Sequence, residues 1–121
     1  MKYIMILAAM LYYCNANAQD RIPDTFEAGW KGKPVCEIIE ENDAFRMFTC
    51  TYPPGGGQDK HYHDPYMGYI VQGGTLRSTG PNGTRESTSV TGQSFNSPGL
   101  EWHALENIGD TTVIILGVET K

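Results

Sequence analysis

Beyond residue 18 no segment of this sequence carries a sustained apolar repeat at helical spacing, which removes helix bundles from consideration. Basic charge is scarce. Lys and Arg number 9 against 14 Asp and Glu, for a formal net charge of −5. With no basic cluster, nucleic acid and an anionic membrane surface are excluded as expected partners, and small molecules remain. Length is short too: 121 residues give room for one domain, since a single core commonly takes roughly 100 to 150. Long apolar runs are missing. The longest, Tyr3 to Tyr13, falls short of the roughly 20 residues that a membrane-spanning helix needs.

That run has another use. Lys2 precedes it, polar Asn15 follows, and Ala16-Asn17-Ala18 stands ahead of Gln19. A charged start, an apolar middle and a small-residue cleavage site make a secretory signal peptide over residues 1 to 18, with cleavage expected after Ala18. The rival is a lipoprotein signal at Cys14, but the tyrosines of Leu11-Tyr12-Tyr13 fit poorly where lipidation wants small side chains. Losing Lys2, the one charged side chain of the leader, takes the net charge from −5 to −6. The expected location is periplasmic or secreted, with no membrane attachment once the leader is cut.

Export leaves two of the three cysteines, Cys36 and Cys50, where disulfides persist. A turn near Asn42 and Asp43, between strand-like runs Val35 to Ile39 and Phe45 to Tyr52, sets positions 36 and 50 nearly opposite. A cross-strand disulfide and two small buried thiols both fit this arrangement; the compartment favours the disulfide.

Residues 19 to 34 are polar and aperiodic, an N-terminal arm or edge strand, and residues 35 to 121 are short β-rich runs. Strands are expected at Cys36 to Ile39, Phe45 to Tyr52, Met67 to Val71, Thr75 to Ser78, Glu86 to Val90, His103 to Leu105 and Val113 to Val118. The breakers are Pro53-Pro54-Gly55-Gly56-Gly57, Gly73-Gly74, Gly80-Pro81-Asn82-Gly83, Gly92, Ser97-Pro98-Gly99 and Gly109-Asp110. Many short strands with glycine-rich turns imply an all-β sandwich or barrel.

Histidine is rare, with 3 in the chain, and two of them form His61-Tyr62-His63. In an extended strand these two imidazoles share a face while Tyr62 points away. A third imidazole, and His103 is the only one left, would complete a facial triad for a divalent metal with positions open to substrate.

Gly55 to Gly74 resembles the first cupin motif, in which a glycine, five spacers, His-x-His, three or four spacers, a glutamate, six spacers and a glycine follow one another. Gly55, His61, His63 and Gly74 stand in place, and the glutamate position falls on Met67. Gly92 to Asn107 resembles the second motif through Gly92, Pro98, His103 and Asn107, with Gly99 displaced by one residue from the inner glycine. The resemblance spans roughly Glu37 to Glu119 and implies an antiparallel jelly-roll barrel, the double-stranded β-helix. It implies a metal (iron, zinc, manganese, copper or nickel) on His61, His63 and His103, and a homodimer.

The glutamate ligand of the motif has no counterpart. Such a site resembles the three-histidine cupins, among them dioxygenases, and implies a metal-dependent oxidation or lyase reaction on a small molecule. A non-catalytic cupin that captures or senses a small ligand is the competing reading, because fold alone fixes no chemistry. Met67, Glu101, Tyr69 and Trp102 are the expected pocket residues: Met67 from the glutamate position, Glu101 from its parity with His103, and the two aromatics, together with Tyr66, as side chains that could line the barrel mouth or simply pack.

Overall fold

The computed structural model describes residues 21–121, so the expected leader lies outside the described residues. Eleven strands follow one another: β1 (Gly29–Trp30), β2 (Lys33–Pro34), β3 (Cys36–Glu41), β4 (Phe45–Tyr52), β5 (Gly57–His63), β6 (Tyr66–Gln72), β7 (Gly74–Gly80), β8 (Gly83–Ser89), β9 (Ser94–Ser97), β10 (Leu100–Asn107) and β11 (Val113–Thr120). No helix interrupts them among the described residues. Antiparallel pairing builds a five-stranded sheet in the order β3-β4-β11-β6-β9 and a four-stranded sheet in the order β5-β10-β7-β8. The short hairpin β1-β2 forms a third sheet.

Alternation decides which side chains meet inside. On β4, Phe48, Cys50 and Tyr52 are buried while Phe45 and Met47 are exposed. With Cys36, Leu76, Leu105 and Val113 they form the apolar core. One row across the five-stranded sheet runs Phe48, Gly117, Gly68, Phe95 in register. A side chain at Gly117 would collide with the Phe48 ring, and one at Gly68 with the Phe95 ring. Each phenyl ring therefore folds over a neighbouring glycine, covering backbone that would otherwise lie bare.

Cys36 and Cys50 pair directly across β3 and β4 and are joined in a disulfide. The turn that aligns them closes on Asn42, whose side-chain oxygen accepts from the backbone N–H groups of Ala44 and Phe45 at 2.8 and 2.9 Å. That is the local bond for which asparagine is favoured in turns.

Residues 21–34 lie along β5 of their own chain. The Tyr62 N–H donates to the Pro23 carbonyl at 3.0 Å, and Asp24 bridges to Tyr62 in a parallel pair. Deeper in, the buried Gln58 amide donates to the Thr25 carbonyl at 2.8 Å and accepts from the Tyr52 hydroxyl at 2.8 Å. Asn107, the last residue of the second motif, is structural: its side chain donates to the carbonyls of Tyr52 and Thr111 and accepts from Gly109, pinning the β10–β11 connection.

Candidate metal centre

β5 does not alternate cleanly. Gln58 and His61 both point inward, and the exposed pair Asp59-Lys60 between them faces a single residue on β10. A β-bulge at this point re-aims the chain. A second irregularity on β10 sets Glu101-Trp102 against Tyr62 alone. The two offsets cancel, and between them His103 lies directly across from His61. His63, two residues along β5, joins them on the same face.

The three imidazoles converge through their Nε2 atoms, which lie 3.1 Å apart between His61 and His63 and 2.9 Å apart between His61 and His103. His61 is fully buried and His63 nearly so. The bulge orients His61: its Nδ1 lies 2.7 Å from the Asp59 carbonyl. A carbonyl only accepts, so the proton of His61 sits on Nδ1 and the lone pair of Nε2 faces the other two rings. His63 stacks on Tyr66 with ring centroids 4.6 Å apart. Its Nδ1 is buried with no hydrogen-bond partner among the described residues.

Burial drives the electrostatics. Desolvation pushes His63 down to about 3, with the neighbouring histidines adding to the shift, and pushes His103 down to about 3 as well. His61 is lowered by the same cause, opposed by its bond to Asp59. All three rings are thus neutral at pH 7. Three neutral imidazoles whose Nε2 atoms gather at one point form a donor set that a divalent metal ion fits.

A cavity of about 300 Å³ opens in front of the rings, bounded by His63, His103, Tyr66, Phe95 and Leu105, with the disulfide-bonded Cys50 in its wall. Burial, then the nearby Glu119 carboxylate, pushes the Tyr66 phenol up to about 12, so it is protonated at neutral pH and able to donate.

Of the expected pocket residues, Trp102 lines a neighbouring cavity of about 340 Å³ and packs under the Lys60 ammonium at 4.3 Å. The other three are corrected. Met67 and Tyr69 lie on the outer face of β6, 59% and 46% exposed. The inward positions of β6 are Tyr66, Gly68 and Ile70. Glu101 is exposed on the β10 bulge and lines neither cavity. Phe95, on a strand the sequence did not announce, occupies the space above Gly68. Of the three aromatics expected at the barrel mouth, Tyr66 is the one that lines the cavity in front of the histidines.

A jelly-roll barrel with three inward imidazoles on adjacent strands defines the class: a double-stranded β-helix built around a candidate metal centre. Solved structures identify the fold as that of the cupins. No protein-family profile matches the sequence, and no curated protein matches it. A cupin domain from Bordetella pertussis Tohama I is similar at 24% identity and TM-score 0.68, over 84% of this chain and 97% of that one. An RmlC-like cupin with a double-stranded β-helix fold from Methanocaldococcus jannaschii is similar at 17% identity and TM-score 0.58, over 71% of this chain and 78% of that one. The polyketide cyclase RemF from Streptomyces resistomycificus is similar at 20% identity and TM-score 0.60, over 83% of this chain and 69% of that one.

Proposed function

We propose that this protein is an exported metal-binding cupin that acts on a small molecule. The observation that carries the reading is the convergence of three imidazole Nε2 atoms at the inner end of a cavity. His61, His63 and His103 would hold one divalent metal. Bound there, it supplies Lewis-acid or redox chemistry to a substrate oxygen or sulfur, in keeping with a dioxygenase-type or lyase reaction. The chain's own residues do the rest. The Asp59 carbonyl fixes the His61 tautomer, the apolar walls Phe95, Leu100 and Leu105 keep water from the ligand, and the Tyr66 phenol offers a proton toward it.

Elemental analysis by mass spectrometry tests the reading on untagged protein recovered from the periplasm, beside a His61→Ala, His103→Ala double variant. About one metal per chain, lost in the variant, is the expected result. No metal in either protein, even after reconstitution, overturns it.

One observation favours capture without turnover: among the described residues no Asp or Glu lines the cavity, so no carboxylate there serves as a general base. Product formation or oxygen uptake by the metal-loaded protein separates the two readings.

Export accords with the disulfide and with the absence of any described helix long and apolar enough to cross a membrane. A homodimer would form through the outer face of the five-stranded sheet, where Met47 and Met67 flank Val118 in one row. Met67→Lys is expected to shift the protein toward monomer in analytical ultracentrifugation, and a wild type that sediments as monomer sinks the dimer.

A further inference from the structure

We infer that the small molecule taken up in front of the histidines is an anion, and that Arg85 receives its carboxylate. The inference deepens the function proposed above and rests on it only for what happens at the histidine end of the ligand.

Four arginines are present in the chain. Arg21 pairs with Glu27, Arg77 with both Glu86 and Glu106, and Arg46 lies over the Phe26 ring at 5.0 Å. Arg85 enters no ion pair among the described residues. It stands on β8 opposite Ser78 of β7, which in turn pairs with Leu105 of β10, two residues from His103. β8 is thus two strands from β10, roughly 10 Å at the usual strand spacing. A long arginine side chain from that distance reaches into the space before the imidazoles. Arg85 borders both the cavity of about 300 Å³ and its neighbour of about 340 Å³, and His103 borders both as well.

The charge pattern around it is one-sided. Among the described residues neither cavity has an Asp, Glu or Lys in its wall, so there Arg85 brings the one permanent charge to both. Around it stand neutral polar groups, Ser78 and Ser87 from the sheet and Asn96 and Ser97 from β9. Arg85 is exposed on β8, the edge strand of its sheet, so its guanidinium is open to a ligand entering from solvent. A guanidinium presents two parallel N–H donors that match the two oxygens of a carboxylate. The cavity lies at the small end of ligand sites, which commonly run from about 300 to 1,000 Å³. The geometry therefore suits a compact acid, its carboxylate at Arg85 and a second oxygen toward the histidines.

Two matched pairs of probes test this: lactate against lactamide, and malonate against malonamide. Each pair has nearly one shape and differs in charge. Affinities are read by two-dimensional amide NMR titration of the untagged protein as purified, of Arg85→Gln, of Arg85→Lys, and of the His61→Ala, His103→Ala variant. Wild type is expected to bind the carboxylate member about tenfold more tightly in at least one pair. That preference disappears in Arg85→Gln, survives in part in Arg85→Lys, and the metal content of both Arg85 variants equals that of wild type. Equal affinities within both pairs, no saturable binding of any probe, or a preference that persists in Arg85→Gln overturns the inference. Failure here in a protein that holds metal leaves the metal centre standing. A carboxylate preference in a protein without metal leaves Arg85 standing and removes the metal centre.

Discussion

Two buried polar clusters lie three residues apart on the same strand. Gln58 and His61 are each fully excluded from solvent, and both point inward from β5. Around Gln58 the hydrogen bonds close within the protein: Thr25 accepts, Tyr52 donates, and the amide's oxygen and nitrogen are both used. Around His61 they do not. Its Nδ1 is bonded to Asp59, but its Nε2 faces two other Nε2 atoms. Burial alone therefore says little about role. A buried polar group whose partners are all supplied by the chain is structural, and one whose ring nitrogen converges with two others on a common point can take a partner from outside.

The comparison can be broken at either end. The largest effect is expected at the closed cluster, where Gln58→Ala strands the Tyr52 hydroxyl and opens a void. It should lower unfolding free energy by about 3 kcal/mol in urea titration while leaving metal content unchanged. A loss of metal in that variant would show that the two clusters are not independent. Beside it lies the Cys36–Cys50 bridge, which closes a loop with a sequence separation of 14. Replacing both cysteines by alanine should cost about 3 kcal/mol, with reduction of wild type giving the same loss.

At the open cluster the informative variable is pH. The histidine pKa values are depressed, from 6.5 to about 3 for His63 and His103, so the unfolded chain binds protons that the folded chain refuses. The metal-free protein should accordingly lose stability as pH falls from 6.5 toward 3 and show no histidine-linked change above that window. His103→Gln should flatten the slope of Tm against pH across the window, whereas Gln58→Ala lowers Tm and keeps the slope. The smallest effect belongs to the bulge. Deleting Lys60 removes the extra residue while keeping Gln58 and His61 inward, and it withdraws the Asp59 carbonyl from His61. Metal affinity should fall about tenfold, by competition with a chelator, with the ligands intact.

The barrel was legible in the sequence because glycine punctuation survives in folded turns, as at Gly83, Gly92 and Gly99, all at positive φ. The three histidines were legible because a period of two places His61 and His63 on one face wherever the strand is regular between them. Legibility failed where regularity failed. Nothing in Asp59-Lys60 or Glu101-Trp102 announces a bulge, and the bulges determine which residues share a face with His61 and His103. Glu101 was matched to His103 by a parity that the bulge on β10 interrupts. Met67 was placed by motif spacing, while the pleat of β6 turns Tyr66 and Gly68 inward instead. β9 escaped notice because Ser94–Ser97 holds one apolar residue, Phe95, and owes its strand geometry to pairing with β6. Arg85 carries no motif; only the fold brings it to the cavity.

The cancelling offsets on β5 and β10 have an evolutionary consequence. Each extra residue amounts to one inserted codon, and together they leave the flanking pairs Leu100 with His63 and Leu105 with Gln58 in one common frame. A lineage that gained or lost both insertions would shift its histidine pair relative to the cavity and leave every other strand where it was. The position of this site is thus open to paired one-residue changes on β5 and β10, without the barrel having to be rebuilt.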